Sequence, residues 1–398
     1  MKMQKLRPAL LMGALAAALL LAGRVGAGVV PADGSSVCDV SSGTHTVSAG
    51  SVDSAEFRAV WVPYMSLDMQ NEPQKHFGAF KAKFDAIIQR VVDAGANTVF
   101  VHVRPFGDAM YRSAYAPWSH ILTGTQGQDP GYDALAYMVE ASHRAGLQIH
   151  AWINPLRVRS VQMPSALAAD NVATVWRSDD DAANDNWVVE TSDGWFLNPA
   201  YPEVRDYLAQ VVQELVTRYA VDGVHLDDYF YPTTDASFDS AAYESYCAAT
   251  DAPLALSEWR KAQINALVQT LYTTIKSVNP AVLLGIAPQG NVMNDERVGA
   301  DVATWGSTVG YVDYLCPQLY YPFDSPTRPF VQTADQWRAL VTCPSVKLFG
   351  GLALYKAGDP SADSGAWMAS DVIDRQRAEL ARIGFDGWGL YSDAYLSQ

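Results

Sequence analysis

Eight short β-rich runs, at residues 58–64, 97–104, 148–154, 223–228, 283–288, 311–320, 346–355 and 387–392, alternate with amphipathic helical stretches along this chain. Strands that alternate with helices make a parallel sheet with the helices as crossovers. Eight is the number at which such a sheet closes into a single (β/α)8 TIM barrel. The helical stretches carry the matching periodicity: Phe80, Phe84, Ile87, Ile88 and Val91 recur within 77–94, and Val204, Leu208, Val211, Val212 and Leu215 within 202–219. Pro202 suits a first helical turn, and Gly95 and Gly146 stand where helix ends need a left-handed residue. Little chain follows the eighth strand, so the last helix is expected to be missing or truncated. Long loops, above all 155–202, are expected to wall a cleft on the face formed by the C-terminal strand ends.

Ahead of the first strand, Lys2, Lys5 and Arg7 precede an unbroken apolar stretch, 9–22, and the small-residue site Val25-Gly-Ala27. These are the three parts of an export signal. The apolar stretch is shorter than the roughly 20 residues a membrane-spanning helix requires, and Leu21-Ala-Gly23 is followed by Arg24 rather than by cysteine. Residues 1–27 therefore read as a cleaved signal peptide and the product as exported, to the periplasm, the extracellular space or the cell envelope, with no membrane span after cleavage. Residues 28–55, rich in Gly, Ser, Thr and Ala, read as a flexible N-terminal segment. Residues 56–398 read as one catalytic barrel domain, since such barrels run to about 250 residues and lengthen by insertion.

Lys and Arg number 28 against 43 Asp and Glu, and signal cleavage would remove four basic residues and no acidic one. Such an acidic surface argues against nucleic acid and anionic membranes as partners. Cys38, Cys247, Cys316 and Cys343 lack CxxC spacing, leaving three full pairings open in an oxidising compartment. Cys316, inside a strand-like run, reads as a buried apolar residue. The histidines show no HExxH spacing, so neither a catalytic metal nor another cofactor is expected; His102, His150 and His225 fall in strands and read as hydrogen-bonded residues of the barrel mouth. Residues 178–186, with Asp179, Asp180, Asp181 and Asp185, are oxygen-rich but lack EF-hand spacing and read as a solvated loop.

The sharpest motif is Val221-Asp-Gly-Val-His-Leu-Asp-Asp-Tyr-Phe-Tyr-Pro232. Strand alternation puts His225, Asp227 and Tyr229 on one face, while Asp228 points the other way or begins the loop. A carboxylate at that rim can trap an oxocarbenium-like centre as nucleophile or activate a water, as glycoside hydrolysis requires. The bland alternative is turn chemistry, with the Asp side chains accepting backbone N–H bonds. Polar and aromatic residues also gather at the other strand ends, which a barrel brings to one mouth. Sugars present hydroxyl rims and apolar C–H faces, and Trp152, Asn154, Trp195, Tyr229, Gln289, Gln318, Tyr320 and Tyr321 suit both, with His225 beside Asp227. Arg104 and Arg157 offer bidentate forks for a carboxylate-bearing sugar.

Phe57-Arg-Ala-Val-Trp61, Asn97-Thr-Val-Phe-Val-His-Val-Arg-Pro105, His150-Ala-Trp-Ile-Asn-Pro155, Trp195-Phe-Leu-Asn-Pro199, Asp222-Gly-Val-His-Leu-Asp-Asp-Tyr229 and Pro317-Gln-Leu-Tyr320 occur in this order. In these motifs the chain resembles the glycosyl-hydrolase-like ten family of bacterial envelope proteins, which includes peptidoglycan glycosidases. The resemblance runs from residue 56 to the end. It implies a (β/α)8 glycosidase acting on a cell-wall or related glycan, with the fourth-strand acids in the catalytic centre. Residues 222–227 are also similar to the fourth-strand pattern of amylase-type barrels, whose last Asp is the nucleophile. Tyr229 stands where the glutamate of chitinase-type barrels would be, which counts against their substrate-assisted mechanism.

The fifth strand ends Ala287-Pro-Gln-Gly290 and offers no Glu for the general acid. Asp324 after the sixth strand leads the candidates, followed by Glu296, Asp393 and Asp108. The sequence thus reads as an exported glycoside hydrolase of a peptidoglycan-type cell-wall glycan. Asp227 is its nucleophile or base, Asp228 supports that residue, and Asp324 is the acid. A non-catalytic carbohydrate-binding or scaffold barrel of the envelope, and a glycosidase of an exopolysaccharide, are the alternatives.

Overall fold

A computed structural model describes residues 56–163 and 166–396. The expected leader and N-terminal segment, and Cys38, lie outside the described residues. The barrel strands in chain order are β1 (Phe57–Val62), β2 (Thr98–Arg104) and β3 (Gln148–Ile153), then, after an excursion, β7 (Gly223–Leu226), β8 (Leu283–Ile286), β9 (Tyr314–Leu315), β10 (Lys347–Leu352) and β11 (Gly387–Tyr391). Each pairs in parallel with its neighbours and β11 closes onto β1, so the eight form a TIM barrel in the order β1-β11-β10-β9-β8-β7-β3-β2.

Helices Phe77–Asp93, Ala134–Arg144, Pro202–Arg218, Leu256–Val278, Phe330–Leu340 and Val372–Ile383 lie between the strands in sequence. In the first of them Phe80, Phe84, Ile87, Ile88 and Val91 are all buried, the stripe that the spacing predicts. Pro202 opens its helix at N1. Gly95 and Gly146 adopt φ of 72° and 75°, where an L side chain would be strained. After β11 the described residues form only a short 3-10 turn, Asp393–Tyr395. No helix among the described residues is long and apolar enough to cross a membrane. Cys316 is buried inside the barrel, as its place in an apolar run implies.

Three features differ from the sequence reading. The excursion after β3 is not a plain loop: β4 (Arg157–Ser160), β5 (Val188–Thr191) and β6 (Gly194–Leu197) make an antiparallel sheet of order β4-β6-β5. The sixth barrel strand shrinks from the expected 311–320 to two residues, because Pro317 has no N–H to donate and only isolated bridges to Gln289 and Gly351 resume at Gln318. The fourth ends at Leu226, so Asp227 and Asp228 begin the following loop and strand alternation no longer governs them.

The floor of the barrel is aromatic. Phe57, Trp61, Phe100, Trp152, Tyr314 and Phe349 share its interior. The ring centroids of Phe57 and Phe349 stack 4.0 Å apart, as do those of Phe100 and His225. Two glycines admit the largest rings: a Cβ on Gly285 would fall inside the Tyr314 ring, and one on Gly223 would collide with His150. Trp61 Nε1 donates to His225 Nε2 (3.1 Å), so the neutral His225 carries its proton on Nδ1 and gives it to Tyr314 Oη (2.9 Å). The Tyr314 hydroxyl in turn donates to His150 Nδ1 (2.9 Å). Burial holds both imidazoles neutral, pushing His150 down to about 4 and His225 well below the ordinary range.

Candidate active site

Asp227 reaches the rim because β7 is anchored at its start and stops early. The Asp222 carboxylate accepts from Ile149 N (2.8 Å) and pairs with His143 Nε2 (2.9 Å). After four strand residues, Ala287 N donates to Leu226 O (2.8 Å), and the chain leaves the sheet at Asp227. Above the aromatic floor opens a cavity of about 300 Å³ lined by Trp61, Tyr64, His102, Trp152, Arg157, Asp227, Asp228, Tyr229, Gln318, Tyr320 and Tyr391, among others. Asp227 and Asp228 are its only carboxylates among the described residues, and both face it, Asp228 because it belongs to the loop, the second of the two placements expected for it.

The two acids differ in their bonding. Asp227 is 5% exposed; its Oδ2 accepts from Trp152 Nε1 (3.1 Å) and Asn154 Nδ2 (3.5 Å), and its Oδ1 from Tyr229 N (3.3 Å). Burial, then the charge of Asp228, lifts its carboxyl to about 7 against the pull of Arg157 and these N–H donors. Asp228 is also raised by burial, but amide donors oppose the rise: Gln318 Nε2 lies 3.0 Å from its Oδ1, and the Gln289 side chain is a second partner. Asn294 Nδ2 donates to Gln289 Oε1 (3.0 Å), fixing that amide. Near neutral pH Asp227 therefore exchanges a proton readily, while at Asp228 the amide donors favour the ionised form against the effect of burial.

Arg157 lies over Tyr229 (4.7 Å to the ring centroid) and Phe106 (4.8 Å), with Nε bonded to Pro105 O (3.1 Å). Its guanidinium lines the cavity beside Tyr229 and the two aspartates, whose carboxyls it pulls toward the ionised form. His102 stacks on Trp152 with centroids 3.7 Å apart, and neither of its ring nitrogens has a hydrogen-bond partner among the described residues. Burial, then Arg157 and His225, hold it neutral. The sequence reading placed His102 among hydrogen-bonded residues of the mouth; it does line the cavity, on β2 opposite Trp152, but its ring nitrogens are not the hydrogen-bonded ones expected.

Several expected site residues lie elsewhere. Arg104 is fully buried and donates to Asn154 O (2.9 Å) instead of facing the cavity. A bulge between His102 and Arg104 pairs Arg104 with Ile153, which belongs to the outer core rather than the barrel interior. Trp195, on β6, receives Arg177 over its ring at 4.2 Å and does not line the cavity. His225 lies in the floor beneath. Gln289 and Asn154 support the acids from behind, and Tyr321 packs by Gly290. Of the expected ligands, Trp152, Arg157, Tyr229, Gln318 and Tyr320 line the cavity.

The expected acid, Asp324, is misplaced. It is exposed in a separate groove with Pro322, Ser325, Pro326 and residues 363–366. Phe323 packs at a tilt against Phe330 (5.3 Å between centroids) and holds that loop to the outer layer. The strand facing β7 across the barrel is β11, not β9. The other candidates fare no better: Asp108 is buried against His120 Nδ1 (2.9 Å) and Gln126 Nε2 (3.0 Å), Asp393 is tied to Ser66 (2.7 Å) and Arg90 (3.2 Å), and Glu296 is exposed outside the cavity. In the 178–186 loop, Asp179 and Asp181 accept bonds from their own turn.

A closed parallel barrel whose C-terminal mouth holds adjacent carboxylates in an aromatic cavity is the architecture of a glycoside hydrolase. The chain belongs to the family described as glycosyl hydrolase-like 10, whose model matches residues 56–369. It is 32% identical to glycosyl hydrolase YngK of Bacillus subtilis over 84% of this chain and 69% of that protein. It is 31% identical to glycosyl hydrolase DigH of Escherichia coli K12 over 86% and 82%. The glycoside hydrolase domain of PgaB (BpsB) from Bordetella bronchiseptica shares the fold, with a TM-score of 0.56 at 15% identity over 86% of this chain and 95% of that one. The protein is a glycoside hydrolase that acts on a carbohydrate.

Proposed function

We propose that this is an exported glycosidase of a peptidoglycan-type cell-wall glycan, in which Asp227 transfers the proton and Asp228 is the charged partner beside it. The observation that carries the reading is the acid pair itself: one carboxyl lifted to about 7, the other clasped by two amides, both open to an aromatic cavity. A group of that pKa can give a proton to a leaving oxygen and take one from water near neutral pH. Trp152, Tyr229 and Tyr320 suit the apolar faces of sugars, and the Arg157 guanidinium in the cavity wall suits a carboxylate such as cell-wall sugars carry. Export rests on the leader pattern of residues 1–27, and the wall substrate on the motif resemblance together with Arg157.

The test incubates the purified protein with isolated peptidoglycan glycan strands and measures new reducing ends. Cleavage that disappears in Asp227→Asn, with the fold intact by circular dichroism, is the expected result. Binding without cleavage favours the scaffold alternative, and cleavage of an exopolysaccharide alone moves the substrate. Expression with the leader intact, followed by N-terminal sequencing of the product, is expected to find a start just after Ala27.

A further inference from the structure

A glycosidase that supplies both groups from its own side chains needs two carboxyls flanking the scissile bond, about 5–5.5 Å apart for retention or roughly 6.5–9.5 Å for inversion. This cavity supplies one wall only. Asp227 and Asp228 are consecutive residues leaving one strand end, and Asp228 raises the pKa of its neighbour as a like charge close by. Across the barrel, β11 presents Tyr391, and Trp61 and Tyr320 stand beside it; no carboxylate among the described residues lines the cavity on that side. Asp324, Asp108, Asp393 and Glu296 all lie outside the cavity. If the pair provides the proton and the charge beside it, no further carboxylate among the described residues lines the cavity to serve as the nucleophile.

We propose that the substrate brings it: the site takes 2-acetamido sugars, and the acetamide oxygen of the substrate attacks its own anomeric carbon. This rests on the glycosidase reading above. In the first step the carbonyl oxygen bonds to C1, the C1–O glycosidic bond breaks, and the leaving oxygen takes the proton from Asp227. The acetamide N–H keeps its proton and shares its growing positive charge with Asp228, whose position Gln318 and Gln289 fix. In the second step water attacks C1, its proton returns to Asp227, and the oxazolinium ring reopens to the acetamide with configuration retained. One water is consumed and no other reactant is needed. Tyr229 occupies the place of the chitinase glutamate, and the adjacent aspartate makes that glutamate unnecessary. Ala287 with Trp61 and Tyr391 gives an apolar lining for the N-acetyl methyl, and the unpartnered imidazole of His102 remains for a sugar hydroxyl.

The test is an acyl series on the full chain's own substrate. Peptidoglycan strands, and a β-linked poly-N-acetylglucosamine, are N-deacetylated and then re-acylated with acetyl or trifluoroacetyl groups, the latter similar in bulk but a poor nucleophile. Reducing-end release is expected to recover on re-acetylation and to be at least about 100-fold slower on trifluoroacetylated strands, as loss of an oriented internal nucleophile demands. The released anomer, read by NMR within the first turnovers, is expected to retain configuration. Equal rates on the two acylated forms, inversion, or cleavage only of a β-glucan without amino groups would overturn the proposal and leave the glycosidase standing. Failure to cleave any of these glycans would overturn both.

Discussion

His225 and Asp227 stand two residues apart in one motif yet belong to different worlds. His225 lies in the barrel floor, where Trp61, His225, Tyr314 and His150 form a directed chain of neutral hydrogen bonds among stacked rings. Asp227 lies one step above, where burial and a like charge hold its carboxyl far from its usual state. The floor links its polar atoms, all but His150 Nε2, in neutral hydrogen bonds and so contributes stability; the rim leaves charge under strain and so can do chemistry. A barrel separates these tasks along its axis, and the change occurs at Leu226, where the sheet ends.

Changes at the rim should cost activity far more than stability, and changes in the floor the reverse. The largest effect is expected from Asp227→Asn, which should lower kcat by about 10²–10⁴-fold, the range for loss of a general acid, with the fold retained by circular dichroism. Asp228→Asn should follow at roughly 10²–10³-fold, as for loss of one preorganised electrostatic contact. Wild-type kcat/KM should fall about tenfold per pH unit on the alkaline side of pH 7, because the lifted carboxyl of Asp227 holds its proton below that point and loses it above. A flat profile to pH 9 would remove Asp227 from proton transfer.

In the floor, Tyr314→Phe strands the two histidine Nδ1 atoms and should destabilise by about 1–3 kcal/mol, the cost of an unsatisfied buried group, while kcat stays within a few-fold; thermal unfolding and steady-state assays together decide it. The smallest effect tests the strain itself. The folded pKa of Asp227, about 7, lies above its usual 3.8, so the protonated form stabilises the fold at low pH and that contribution is lost as pH rises through 7. Asp227→Asn should therefore melt higher than wild type at pH 8, by about 2–4 °C for each kcal/mol relieved, and the gain should vanish below about pH 4. A variant less stable than wild type at pH 8 would place Asp227 among the groups that hold the fold together.

Much of this was legible in the residues. The alternation of β-rich runs and amphipathic stripes fixed eight strands, and the turn at Asp222-Gly223 pointed Asp227 at the rim, since strand and helix periodicities are local. Arg104 and Asp324 were not legible. A one-residue bulge after His102 turned Arg104 toward the outer core, and packing of Phe323 on Phe330 carried Asp324 outward; neither leaves a trace in spacing. Only the closed barrel paired β7 with β11 across the mouth, showing aromatic rings where a second carboxylate was expected. Periodicity, caps and turns depend on neighbours in the chain, so the sequence alone determined the barrel and its acid pair. Which groups share the cavity, and how far Asp227 is lifted, depend on burial and charge brought together from distant strands, and the tertiary structure alone decided them.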